Sequence, residues 1–178
     1  MLRRLPAKEL LLIAGAIAAM LLLTPSALAQ GPGSPRFSLF AGPGVFFSQG
    51  RSSGEFQSGA SLDQTSPNAW VGFSMEGGYM VPWANLKAGS GFFSIDYMPS
   101  WHFGHATPDA TWKFLPYASA GYTQLFGTGN AVNFGAGADY RFCQTQAIRV
   151  DIRDYYSFAS PRQHNVALRI GWVIYLWD

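Results

Sequence analysis

Residues 165–177 read Asn-Val-Ala-Leu-Arg-Ile-Gly-Trp-Val-Ile-Tyr-Leu-Trp. Val166, Leu168, Ile170, Trp172, Ile174 and Leu176 share one parity, and Ala167, Arg169, Gly171, Val173 and Tyr175 share the other. Side chains of a β-strand alternate between two faces, so this segment is a strand with one continuous apolar face. Its opposite face mixes small, charged and aromatic groups. A face this uniformly greasy needs either a core or a lipid to cover it.

Working back from this strand, the same alternation recurs. Val132, Phe134, Ala136, Ala138, Tyr140 and Phe142 alternate with Asn133, Gly135, Gly137, Asp139 and Arg141. After a short turn at 143–146, Ile148, Val150 and Ile152 alternate with Arg149, Asp151 and Arg153. Further strands are expected near 36–47, 69–79, 91–98 and 115–126, with no helical period after residue 30. The Ser-, Gly- and Gln-rich stretch 48–67 reads as a long surface loop. That makes seven strands. Membrane barrels of a single bacterial chain have an even number, so an eighth is expected within 81–113, best at Ser100–His105.

The opening of the chain has the form of an export signal. Arg3, Arg4 and Lys8 precede an uncharged run from Leu10 to Leu23, and Ala27-Leu28-Ala29 forms a small-residue cleavage site. The run is shorter than the roughly 20 residues that a spanning helix requires. A signal peptide over 1–29 and one domain over 30–178 are therefore expected. Removing Arg3, Arg4, Lys8 and Glu9 leaves nine basic and nine acidic residues. A neutral domain offers no electrostatic footprint for nucleic acid.

Composition separates two all-β classes. Charged residues make up 12% of the chain and aromatics 16%, against about a quarter charged in a typical soluble domain. In a soluble sandwich the second parity would be polar and face water. Here it is mostly Gly, Ser and Ala, which suits the narrow interior of an eight-stranded barrel. The expected fold is an all-β, eight-stranded, antiparallel up-and-down transmembrane β-barrel, in contact with the lipids of a bacterial outer membrane.

Charged residues within the strands also fall on this second parity: Glu76, Asp96, Asp139, Arg141, Arg149, Asp151, Arg153 and Arg169. Buried charges require paired, hydrogen-bonded partners, and Arg meets a carboxylate with a planar fork. Four carboxylates and four guanidiniums predict a luminal ion-pair network that plugs the barrel and fixes strand register. A polar pore or a catalytic pocket is the alternative.

Catalytic, cofactor and metal sites are not expected. His102 and His105 lack a fixed third ligand. The lone Cys143 has no internal disulfide partner. Gly135-Ala136-Gly137 lies inside a strand and precedes no helix, which rules out a nucleotide loop. Outer-membrane lipid A deacylases carry His-x-Ser-Asn near the end of a late strand. Tyr155 and Phe158 take the His and Asn places around Ser157 here, and His164 is the nearest base that a lipid-modifying enzyme could use.

Three segments carry a family likeness: Asn133-Phe134-Gly135-Ala136-Gly137-Ala138-Asp139-Tyr140, Arg149-Val150-Asp151-Ile152-Arg153-Asp154-Tyr155, and His164-Asn165-Val166 with the closing strand. With Leu115-Pro116-Tyr117 ahead of Ala120-Gly121-Tyr122, the chain from Leu115 onward resembles OmpA-like outer-membrane β-barrel proteins, often called porin-family proteins. The resemblance implies a non-enzymatic barrel. It also implies an assembly signal of Arg169, Gly171, Ile174 and Leu176, read by the barrel assembly machinery. Interaction with an extracellular ligand is expected through the loop at 48–67.

Overall fold

A computed structural model of the chain describes residues 35–65, 72–99, 114–127, 129–143, 145–158 and 162–176. They form a closed barrel of eight strands, each hydrogen-bonded to its sequence neighbours, with β1 meeting β8. The strands are β1 (Arg36–Ser48), β2 (Arg51–Thr65), β3 (Gly72–Pro82), β4 (Ser90–Tyr97), β5 (Phe114–Leu125), β6 (Gly129–Arg141), β7 (Gln146–Ser157) and β8 (Gln163–Tyr175). All eight pairings are antiparallel.

The main departure from expectation is β2. Within the stretch 48–67 expected as a loop, residues 51–65 are a strand, the far side of a two-residue hairpin. Ser48 pairs with Arg51, and both Gln49 (φ 50°) and Gly50 (φ 72°) have positive φ. That is the type I′ geometry, whose twist suits two paired strands. The eighth strand is thus β2, while the proposed segment Ser100–His105 lies outside the described residues.

Register sets the barrel's shape. Following paired residues around the wall from Leu115 passes Asp139, Arg149, Gly171, Phe40, Gly59, Gly78 and Phe92, and returns to β5 at Leu125, ten residues further on. Ten residues of about 3.3 Å set against eight strand spacings of about 4.8 Å tilt the strands by about 40°. Every residue on this circuit faces inward, so the bore is lined by whatever this parity carries. Glycines and serines keep it narrow enough for side chains to meet across it.

Outside, the chain presents an apolar wall. On β8 Leu168, Ile170, Trp172, Ile174 and the following Leu176 are all exposed, as are Ile148, Val150 and Ile152 on β7. Aromatics flank this band at both ends. Phe73 packs edge-on to Tyr97, and Phe142 edge-on to Trp172, near the end where β1 begins and β8 finishes. Tyr156 and Phe158 pack edge-on near the opposite end, where Trp83 and Phe47 are also exposed. An apolar band between two aromatic girdles is the surface that a bilayer selects; in water a patch of this extent would drive aggregation.

The two ends differ. β1 begins and β8 finishes at one end, here called the terminal end, which also carries the connections 66–71, 98–113 and 142–145. Opposite lie Gln49–Gly50 and the connections 83–89, 126–128 and 158–162. The longest connection, 98–113, is therefore at the terminal end.

Candidate functional site

The site of interest is the bore. Among the described residues six carboxylates (Glu55, Asp63, Glu76, Asp96, Asp139, Asp151) and four arginines (Arg36, Arg149, Arg153, Arg169) are buried. They stand on inward positions of seven strands, and they are arranged in tiers.

Nearest the terminal end, Arg149 forks onto Asp139, with Nε donating to Oδ1 at 2.7 Å and Nη2 to Oδ2 at 3.0 Å. Its Nη1 reaches Asp63 Oδ2 at 2.6 Å. Arg36 Nη1 donates to Asp139 Oδ2 at 3.0 Å. Ser74 and Ser61 hydroxyls donate to Asp63 Oδ1 at 2.6 and 3.0 Å. A guanidinium shared by two carboxylates, each with further donors, meets the requirement for charge in a dry interior.

At mid-height Arg169 forks onto Asp151, with Nε to Oδ1 at 2.7 Å and Nη2 to Oδ2 at 3.2 Å. Its Nη1 donates to Glu76 Oε1 at 2.6 Å, and Tyr155 OH donates to the same oxygen at 2.7 Å. Tyr117 OH donates to Asp151 Oδ2 at 2.9 Å. Arg153 Nη1 donates to Asp96 Oδ2 at 2.7 Å and to Asn133 Oδ1 at 2.9 Å. Asn133 Nδ2 returns a bond to Asp96 Oδ1 at 2.6 Å. Arg153 Nη2 lies 3.5 Å from Glu76 Oε2, joining the two halves of the tier.

Aromatic rings complete the packing. Arg169 stacks over Phe40 with Cζ 4.2 Å from the ring centroid, and Arg149 over Tyr117 at 4.8 Å. Stacking of this kind covers the guanidinium faces while their edges hydrogen-bond. Toward the opposite end Phe40, Met80, Phe92, Leu125, Ala131 and Tyr155 form an apolar cluster. Beside it Glu55 is held by amides, accepting from Gln57 Nε2 at 2.6 Å and from Asn165 Nδ2 at 2.9 Å.

The ion pairs cross the bore in a definite direction. Arginines of β7 and β8 reach carboxylates of β2, β3 and β4: Arg149 to Asp63, Arg153 to Glu76 and Asp96, Arg169 to Glu76. Arg36 of β1 reaches Asp139 of β6.

Seven of the eight residues anticipated for the lumen come together: Glu76, Asp96, Asp139, Arg149, Asp151, Arg153 and Arg169. Arg141 joins no ion pair among the described residues and stacks over Tyr175 instead, 4.2 Å from the ring centroid. Sequence reading missed Arg36, Asp63 and Glu55. Arg36 shares the inward parity of Ser38 and Phe40 and was legible in principle; Asp63 and Glu55 were lost with β2. Of the proposed assembly residues, Arg169 and Gly171 face inward and Ile174 and Leu176 outward.

The geometry does not bring Ser157 and His164 together. Ser157 is inward and buried, and its Oγ donates to the Asn130 carbonyl at 3.4 Å. His164 is on the outer wall, with Nδ1 3.0 Å from Asp154 Oδ2 and its ring 4.7 Å from that of Tyr156. The two residues sit on opposite faces of the sheet. Among the described residues no group of three His, Cys, Asp or Glu could hold a metal ion; His102 and His105 lie outside them.

Closed topology, an apolar outer band and a polar bore define an eight-stranded, antiparallel, up-and-down β-barrel of the membrane-spanning class. No protein-family model and no curated protein matches the chain. Among solved structures, its fold is similar to that of Neisserial surface protein A, with a TM-score of 0.61 and 14% sequence identity over 83% of this chain and 100% of that one. It is also similar to the N-terminal β-barrel domain of Pseudomonas aeruginosa OprF, with a TM-score of 0.54 and 17% identity over 82% of this chain and 100% of that one. At these identities the likeness is one of fold.

Proposed function

We propose that the protein is a non-enzymatic, non-conducting barrel that serves as a structural component of the outer membrane. The observation that carries this reading is the set of ion pairs spanning the bore at two heights, from Arg149–Asp63 to Arg169–Glu76. Cross-bore contacts of 2.6 Å support a bore obstructed at those heights. The same pairs tie strands that are not neighbours, which stiffens the wall. On this reading residues 1–29 are a cleaved export signal, and Arg169, Gly171, Ile174 and Leu176 direct assembly.

A surface-binding role through a loop at 48–67 is withdrawn, because residues 51–65 of it are strand β2. With the strand ends at Arg36 and Tyr175 facing the periplasm, the longest connection, 98–113, faces the periplasm too. The lipid-modifying alternative is disfavoured by the opposite faces of Ser157 and His164.

Planar-bilayer recording of the purified barrel tests the reading. The expected trace shows no unitary conductance steps. Reproducible steps that vanish when the protein is heat-unfolded would establish a narrow pore in its place.

A further inference from the structure

Eight buried side-chain polar atoms have no hydrogen-bond partner among the described residues, and four of them gather at one mouth of the bore: Arg36 Nε, Arg36 Nη2, Arg141 Nε and Tyr175 OH. Arg36 and Tyr175 face each other across the β1–β8 seam. Arg141 lies over the Tyr175 ring. Arg36 and Tyr175 are 5% and 7% exposed. All four atoms can donate. A buried donor left without an acceptor costs about 1–3 kcal/mol, so four such atoms in one place call for an acceptor from outside the wall.

Charge specifies the acceptor. Among the described residues Arg36, Arg141 and Arg149 meet two carboxylates here, Asp63 and Asp139, and Asp139 already accepts from both Arg36 and Arg149. Among those residues the excess is one positive charge. Arg36 approaches with the free Nε and Nη2 of its guanidinium, Arg141 with Nε and Tyr175 with a hydroxyl, from β1, β6 and β8 respectively. One planar carboxylate matches one fork. Donors supplied by three strands around Tyr175 suit an oxyanion with oxygens in several directions better than one planar carboxylate.

From this we infer that the terminal-end mouth of the bore is a binding site for a tetrahedral oxyanion of the phosphate class, held by Arg36, Arg141 and Tyr175. Arg141 closes over it from the rim. Its side chain is only partly buried and is free of ion pairs among the described residues, so it can swing from Tyr175 to admit the ligand. The inward position of all three residues favours a free anion from the aqueous side over a lipid headgroup on the outer wall.

Isothermal titration of the full-length barrel in zwitterionic micelles tests this, with inorganic phosphate as probe and chloride used to hold ionic strength constant. Saturable binding of one phosphate per barrel is expected. Arg141→Gln should weaken it about tenfold, the loss of one charge-assisted hydrogen bond. Tyr175→Phe should weaken it severalfold. Both variants keep the Arg36–Asp139 pair, and heat-modifiable gel migration confirms that each is folded. Three results would overturn the site: no saturable binding, equal binding by a folded Arg141→Gln variant, or acetate binding as tightly as phosphate. Binding to phosphatidylglycerol in mixed micelles without binding to inorganic phosphate would reassign the anion to a lipid and overturn the free-ligand site.

Discussion

Arg169 is 2% exposed and gives hydrogen bonds to Asp151, Glu76 and Tyr155. Removing one partner of a buried ion pair strands the others, at a cost of about 3–5 kcal/mol, whereas removing both partners is far milder. Arg169→Met is therefore expected to destabilise the barrel by about 3–5 kcal/mol in urea unfolding from vesicles. Arg169→Met combined with Glu76→Gln and Asp151→Asn should recover part of that loss; a triple variant as unstable as the single one would show that the arginine acts through packing alone. Gly42 makes a different demand. A Cβ there would run into the Leu168 carbonyl oxygen and the Arg169 backbone at the β1–β8 seam. Gly42→Ala should abolish the heat-modifiable band that marks a closed barrel. Gly77→Ala, whose Cβ would meet nothing closer than 3.9 Å, should keep it. At this scale sequence exposed the charges through parity but not their pairing. Arg141 sits on the correct face, yet it lies one step beyond Asp139 toward the rim, where Tyr175 reaches it first.

Among the elements, β8 and β2 mark the limits of what alternation reveals. β8 was legible because lipid demands large apolar groups at every outward position. On β2 the outward row is Ser52, Gly54, Phe56, Ser58, Ala60 and Leu62, with only two large apolar residues. Its identity as a strand comes from pairing with β1 and β3 and from a tight turn, both non-local facts. The turn signal was also weak, since Gln-Gly is not among the commonest type I′ pairs. Asp63 and Glu55 disappeared from the site for the same reason. The outward rows make a prediction of their own. Ile170 pairs with Val150 and Ala41 at the middle of the wall. Ile170→Arg should cost about 2–4 kcal/mol, while Phe142→Arg at the rim should cost about 0–1 kcal/mol. Equal costs in vesicle-based unfolding would contradict the placement of the bilayer.

For the molecule as a whole, the direction of the ion pairs bears on how the barrel comes into being. Carboxylates of β2, β3 and β4 leave the ribosome well before the arginines of β7 and β8 that neutralise them. An unpaired charge at the bilayer centre is costly. No N-terminal portion of the wall can thus come to rest in lipid as a stable intermediate. A chain stopped after Arg141 should remain protease-sensitive in cells and fail to insert into vesicles, where the full chain becomes protected. Substituting Asp63, Glu76 and Asp96 by their amides in that fragment should raise its membrane association. The electrostatics of the bore thereby act as a checkpoint on completeness: only a finished polypeptide is neutral enough to stay.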